Sequence, residues 1–163
     1  MTILAVDRVA DGEQLARYVL SPSWLYKDHR QGSPLRPTAF MPHPKIELSV
    51  YRIDYWSKVE VDAKGNEVVN EREQNHRARQ LAQRKNYPAE KRTFRYLGRA
   101  EIKAHDVRSA GLDVVPKEPP VRHADIIGWP GLVGNRKADE ATQMAYALKL
   151  QSVARFWAPG FCQ

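Results

Sequence analysis

The sequence contains a single cysteine, Cys162, so no internal disulfide bond can form and cysteine cannot supply a metal cluster. It also contains no apolar run that approaches the roughly 20 residues of a membrane span. The apolar run before Asp7 comprises only residues 3–6, which is shorter than the apolar core of a signal peptide. These absences predict a cytoplasmic protein of bacterial type that does not associate with a membrane. Cys162 is interpreted as an incidental thiol near the end of the chain.

Motifs for a metal, a cofactor or a known nucleic-acid module are also missing. No HxxxH or HExxH spacing joins any of the histidines, which argues against a zinc enzyme. There is no glycine-rich phosphate loop, and Ser49 lacks the glycine-flanked turn of a serine nucleophile. There is no RRM, KH or zinc-finger motif. The sequence therefore predicts no metal and no cofactor. The histidines are His29, His43, His76, His105 and His123.

The composition is typical of one folded domain. The chain has 163 residues, of which 42% are hydrophobic and 28% charged. A chain of this length can bury about two thirds of its unfolded surface in a single core. No repeat and no long linker divides it. We therefore treat residues 1–163 as a single domain.

Hydrophobic periodicity and turn residues predict a series of short elements along this domain. In the first half they are a strand at 2–6, a helix at 11–20, an extended proline-rich loop at 28–44, two or three antiparallel strands within 46–69, and a helix at 70–85 capped by Asn70. In the second half they are a strand at 93–103, a helical turn at 106–110, strands at 112–115 and 123–129, and a helix at 139–157. This order predicts an α+β fold in which a mainly antiparallel sheet is covered by two or three helices.

The net charge of +7 lies entirely within residues 72–99. Of the 26 basic and 19 acidic residues in the chain, nine and two fall in this segment, which leaves 17 of each elsewhere. A basic excess confined to one segment is typical of a surface that contacts a polyanion. The predicted nucleic-acid-binding residues are Arg72, Arg77, Arg79, Arg84, Lys85, Lys91, Arg92, Arg95 and Arg99.

Aromatic residues lie among these cations, with Tyr87, Phe94 and Tyr96 close to Lys91 and Arg95. Bases of a single strand stack on aromatic rings while phosphates meet guanidinium groups. We therefore predict binding of a nucleic-acid backbone, RNA or single-stranded DNA, with little sequence readout. Two alternatives stay open: the segment is a solvated basic face, or it is the docking surface of an interaction subunit for an acidic protein partner.

The predicted helix at 70–85 has few residues to bury. Its apolar side chains are Ala78, Leu81 and Ala82, which form only a narrow strip. An isolated helix of this length is marginal in water. We therefore expect this segment to fray in the free protein and to become ordered on a polyanion or an acidic partner.

Two pairs of residues are candidates for catalysis. His123 and Asp125 lie two apart on a predicted strand, so their side chains share a face and suit acid–base chemistry. Glu101 and Lys103 have the carboxylate–x–lysine form of metal-dependent nucleases, with Asp54 or Asp62 as the partner acid. A nuclease or another hydrolase is therefore the alternative function. For His123, a structural role through hydrogen bonds to the backbone is the competing interpretation.

Overall fold

The computed structural model describes residues 7–27, 34–42 and 46–160. Within these ranges it has a six-stranded antiparallel sheet and three α-helices, which confirms the predicted α+β fold. The strands are β1 (Gln14–Val19), β2 (Leu48–Arg52), β3 (Gly98–Lys103), β4 (Asp113–Pro116), β5 (His123–Ile127) and β6 (Arg155–Trp157). The helices are α1 (Lys58–Ala82), α2 (Ala104–Ser109) and α3 (Arg136–Val153). The predicted strand at 2–6, residues 28–33 and 43–44 of the predicted loop, His29, His43 and Cys162 lie outside the described residues.

The strands are arranged in the order β4-β5-β2-β1-β3-β6, and each neighbouring pair is antiparallel. In the β2–β5 pair, Ser49 lies opposite Asp125 and Tyr51 lies opposite His123. Residues that face each other across a ladder project to the same side of the sheet. The register therefore places Ser49, His123 and Asp125 on one face.

The larger hydrophobic core lies on the other face of the sheet. Leu15, Val50, Ile102 and Ile126 are buried there, beneath α2, α3 and the 3₁₀ helix Pro37–Phe40. The face that carries Ser49 is covered by α1, where Tyr18 and Tyr51 pack with side chains of the helix. None of the helices in the described part of the chain is both long enough and apolar enough to cross a membrane.

Helix α1 begins 12 residues before the predicted start, so the strands predicted beyond Trp56 and the cap at Asn70 are wrong. Ser57 is the N-cap, and its hydroxyl and the Glu60 carboxylate form a reciprocal capping box. Val61 and Val69 are buried against the sheet, two helical turns apart. Because β-branched residues favour strands, this valine-rich segment resembles a hairpin in sequence. Packing on the sheet overrides that preference.

Gly65 lies within α1, although a glycine between apolar segments is typical of a turn. A Cβ atom at this position would be 2.6 Å from Cε2 of Tyr96, so only glycine lets the Tyr96 ring pack against the helix. Tyr96 is in turn an edge-on neighbour of Tyr18, with ring centroids 5.8 Å apart. The absence of a side chain at Gly65 therefore allows the loop that carries Tyr96 to pack closely against α1.

The predicted helix at 11–20 is wrong, because this segment forms β1. The strand lies between β2 and β3, and both its faces are covered. Leu15 and Val19 enter the larger core, whereas Ala16 and Tyr18 pack beneath α1. A strand that is buried on both faces has no alternation of apolar and polar residues. Its apolar spacing therefore resembled that of an amphipathic helix.

The second half of the chain follows the prediction more closely. The helical turn before Gly111, the two short strands and the long final helix are all present as α2, β4, β5 and α3. The predicted strand at 93–103 is shorter, because only Gly98–Lys103 pairs with β1. The final helix ends at Val153, and Phe156 and Trp157 belong to β6, which pairs with β3.

Candidate functional site

A cleft of about 470 Å³ lies where β2 and β5 meet the 3₁₀ helix at 37–40 and the middle of α1. Strands β2 and β5 contribute Ser49, His123 and Asp125, and other elements contribute Arg17, Thr38 and Arg72. These residues are distant in sequence and meet only because the strands and α1 come together in the fold.

Ser49 and His123 form the shortest polar contact in the cleft, with 2.5 Å between the serine Oγ and the histidine Nε2. The other ring nitrogen, Nδ1, is 2.9 Å from the backbone oxygen of Lys117. A carbonyl oxygen can only accept a hydrogen bond, so Nδ1 carries the proton in the neutral ring. Nε2 is then an acceptor for the Ser49 hydroxyl. This is the arrangement by which a histidine removes a proton from a serine.

Asp125 is only 3% exposed, and its charge is balanced by Lys117. The lysine Nζ lies 2.7 Å from Asp125 Oδ2 and 2.7 Å from Glu47 Oε1. These two carboxylates, Asp125 first, raise the pKa of Lys117. Asp125 Oδ1 is 3.7 Å from His123 Nε2, which is too long for a hydrogen bond. The structure therefore brings the predicted pair together but makes Ser49 the hydrogen-bond partner of Nε2.

Arg17 is a cation in the wall of the cleft without a carboxylate partner among the described residues. Its Nε and Nη1 donate to the backbone oxygens of Ala39 and Ser49, at 3.2 and 3.1 Å. The guanidinium carbon lies 4.9 Å from the ring centre of Trp24. Burial, together with the nearby charge of Arg72, lowers the pKa of Arg17 to about 10. The side chain therefore remains charged at neutral pH.

Two further polar groups of the cleft also lack a counterpart. Arg72 places its guanidinium over Phe94 and Trp24, 4.7 and 5.8 Å from the ring centres, and forms no ion pair within the described ranges. Arg72 remains exposed to solvent, and the partial burial of its guanidinium, together with the charge of Arg79, lowers its pKa. Thr38 Oγ1 is buried and has no hydrogen-bond partner in the part of the chain that the structure describes. Sequence reasoning missed Arg17 and Thr38, because neither belongs to a motif.

The second predicted catalytic pair lies away from the cleft. Glu101 and Lys103 are on β3, and the Glu101 carboxylate binds Arg99 Nε at 2.7 Å. Asp62, one of the predicted partner acids, binds Arg99 Nη1 at 3.0 Å. The other, Asp54, accepts a hydrogen bond from the backbone of Gln14. A divalent cation would therefore have to displace a guanidinium from its carboxylates. No group of three or more His, Cys, Asp or Glu side chains in the described ranges is arranged to hold a metal ion.

Three of the nine predicted nucleic-acid-binding residues have structural partners. Arg99 is 3% exposed and sits between Asp62 and Glu101, so it is not a surface residue. Arg77 donates to the backbone oxygens of Pro88, Ala89 and Lys91 and holds the loop after α1. Arg92 donates to Asn70 Oδ1. These three arginines stabilise the fold around α1.

Five of the remaining cations form what we call the basic surface. All five are exposed and have no carboxylate within ion-pair distance among the described residues. They lie at the end of α1 and on the loop that leads to β3, whereas Arg72 lines the cleft. The basic surface comprises Arg79, Arg84, Lys85, Lys91 and Arg95.

The aromatic residues near the basic surface are packed against α1. Tyr87 is 6% exposed, and its hydroxyl donates to Glu73 and contacts Thr93 Oγ1. Phe94 and Tyr96 are half-buried in the smaller core. These rings therefore order the loop and offer no open face on which successive bases could stack.

Comparisons with known proteins add no function to this geometry. No protein-family model matches the chain, and no curated protein and no solved structure is detectably similar to it. The chemistry of the site itself is therefore the basis for function. It consists of exposed unpaired cations beside a cleft that contains a serine–histidine pair.

Proposed function

We propose that the protein binds the phosphate backbone of a nucleic acid, RNA or single-stranded DNA, through the basic surface. The observation that carries this proposal is that its five cations are exposed and have no carboxylate partner among the described residues. Neighbouring like charges on a helix and loop repel one another, and a polyanion relieves that repulsion. Because the nearby rings are packed, contacts go to phosphates and give little sequence readout.

The test is the salt dependence of binding to a short fluorescent single-stranded oligonucleotide. If about three to five phosphates are neutralised, a plot of log K against log salt for a single strand has a slope of about −2 to −3.5. Replacing Arg79, Arg84 and Lys85 together with glutamine should reduce the steepness of this slope by about 2, because about three counterions are no longer released. Fluorescence anisotropy at several salt concentrations measures both quantities.

The matched control removes the same charge from α3, by replacing Arg136, Lys137 and Lys149 with glutamine. These three side chains are exposed and lie on a different helix. The control should retain the slope of the wild type. If both variants reduced the slope equally, the effect would be one of net charge and not of the basic surface. Binding that is absent or independent of salt would favour an acidic protein partner for the basic surface.

We also propose, as a second candidate, that the Ser49–His123 pair hydrolyses a phosphodiester. The observation in its favour is the 2.5 Å contact between Oγ and Nε2, with Nδ1 fixed by Lys117 O. His123 Nε2 would accept the hydroxyl proton while Oγ forms a bond to phosphorus. The bond from phosphorus to the leaving oxygen then breaks, and the proton passes to that oxygen. Water later cleaves the serine ester.

Ser49→Ala and His123→Ala separate this role from a structural one, with bis(p-nitrophenyl) phosphate as the probe. A catalytic pair predicts loss of turnover in both variants with almost unchanged melting temperatures. A structural histidine predicts a loss of about 1–3 kcal/mol of stability in His123→Ala, because Ser49 and the Lys117 carbonyl lose a partner. Turnover per folded molecule that survives both substitutions would eliminate the hydrolase.

A further inference from the structure

The cleft contains more positive charge than its acids can balance. Its described carboxylates are Glu47 and Asp125, and both bind the same lysine, Lys117. Arg17 and Arg72 add two further positive charges to its lining. A charge taken out of water is costly unless it is paired. The lining of the cleft therefore carries an excess of positive charge.

Arg17 shows this imbalance most clearly. Its described acceptors are two backbone oxygens, which are neutral, and its Nη2 group has no acceptor among the described residues. Burial lowers its pKa, as does the charge of Arg72, so the site disfavours a second cation. Yet Arg72 lies over the same indole ring of Trp24. An anion between the two guanidinium groups would remove this repulsion and fill the free donors.

Thr38 provides an independent observation at the same place. Its Oγ1 is buried, lines the cleft and has no hydrogen-bond partner in the described ranges. Buried hydroxyl groups in native proteins nearly always have a partner. A ligand oxygen in the cleft would supply one. The site thus presents a buried hydroxyl donor and two guanidinium groups, which together suit a ligand with several oxygens on one centre.

We infer that Arg17, Arg72 and Thr38 form a binding site for a phosphate group in the cleft, next to Ser49 and His123. A guanidinium group can donate hydrogen bonds to two phosphate oxygens at once. The three residues together can donate to more oxygens than the two of a carboxylate, which favours a phosphate group as the ligand. This inference does not depend on nucleic-acid binding by the basic surface. The phosphate group can belong to a free nucleotide or to a nucleic-acid strand.

The experiment titrates the full chain with inorganic phosphate by isothermal calorimetry, and follows its melting temperature in phosphate and in chloride of equal ionic strength. Phosphate should raise the melting temperature of the wild type. Arg72→Gln should weaken phosphate binding by about tenfold or more, because it removes a charged donor, and Thr38→Val by several-fold. Lys137→Gln, an exposed residue of α3 outside both the cleft and the basic surface, is the matched control and should bind phosphate like the wild type.

Arg17→Gln should abolish the phosphate effect on melting temperature. If this variant does not fold, the phosphate affinities of Arg72→Gln and Thr38→Val test the site instead. The site is refuted if phosphate and chloride act alike on the wild type, or if Lys137→Gln weakens phosphate binding as much as Arg72→Gln does.

The source of the phosphate follows from comparing AMP with a short single-stranded oligonucleotide. If AMP competes with phosphate more strongly than the oligonucleotide does, and the Arg79, Arg84 and Lys85 triple variant binds AMP normally, the ligand is a free nucleotide. If the oligonucleotide competes more strongly than AMP with the wild type, but no more strongly than AMP with the triple variant, the ligand is a nucleic-acid strand. Both results support the site. Failure of the oligonucleotide to bind the basic surface leaves the phosphate titration unaffected, so the two proposals are tested separately.

Discussion

At the scale of single residues, the same residue type serves different roles according to its partners. Arg99 is buried between Asp62 and Glu101, whereas Arg17 is bonded to neutral carbonyl groups. Arg99 therefore forms ion pairs that stabilise the fold, whereas Arg17 is a candidate for binding a ligand. From the distribution of charge along the sequence, Arg99 was predicted to bind nucleic acid. The same distribution gave no reason to single out Arg17.

Glu73 is a buried residue whose titration should affect stability. It is 6% exposed and accepts hydrogen bonds from the Tyr87 hydroxyl and from the backbone N–H groups of Thr93 and Phe94. Burial alone would raise its pKa, but these hydrogen bonds and the charge of Arg92 outweigh burial and lower it. Because the folded-state pKa lies below the unfolded value, Glu73 stabilises the protein above about pH 4.5.

We predict that this stabilisation is lost as the pH falls below about 4.5 and through the lowered pKa of Glu73. Glu73→Ala should cost about 2–3 kcal/mol at pH 7, since three donors lose their acceptor. Glu73→Gln should cost less and should weaken the acid dependence. Urea unfolding at pH 7 and below pH 4 measures both effects. Glu71→Gln, an exposed acid on the same helix, is the control, and equal effects at both positions would contradict the prediction.

At the scale of elements, α1 has two unlike parts. Its buried residues, Val61, Gly65, Val69 and Glu73, all lie in the first 16 of its 25 residues. Beyond Arg77 the helix is exposed, and Leu81 is 55% exposed. Arg77, five residues before the end of α1, ties the helix to the following loop. The expectation that a separate helix at 70–85 frays therefore applies only to its final turns.

We predict that amide hydrogen exchange in the free protein is slow from Val61 to Arg77 and fast from Gln80 to Asn86. The first segment is packed on the sheet, and the second has few contacts to lose on opening. A bound single-stranded oligonucleotide should slow exchange at Gln80–Asn86, while residues 140–153 of α3 should be unchanged. Uniform protection of α1 in the free protein would mean that its end is rigid, and the basic surface would then bind without becoming ordered.

At the scale of the whole molecule, the sequence allows the fold class and much of the second half to be predicted. Short strands bounded by proline and glycine, and the apolar stripe of α3, are local signals. The first half was harder, since β1 is buried on both faces and the valines of α1 favour strands. The Ser49–His123 contact depends on the register of β2 against β5, which no local pattern encodes. The sequence indicated His123 and Asp125, but Ser49, Arg17 and Thr38 are joined to them only by the fold.

The two outer strands of the sheet are its shortest. β4 has four residues and ends at Pro116, and β6 has three residues and is soon followed by Pro159. An outer strand presents unpaired backbone groups to which a strand of another molecule can add. Short strands offer few such groups, and proline has no N–H to donate. Each outer strand therefore offers a strand of another molecule few groups to pair with, which limits aggregation from edge to edge.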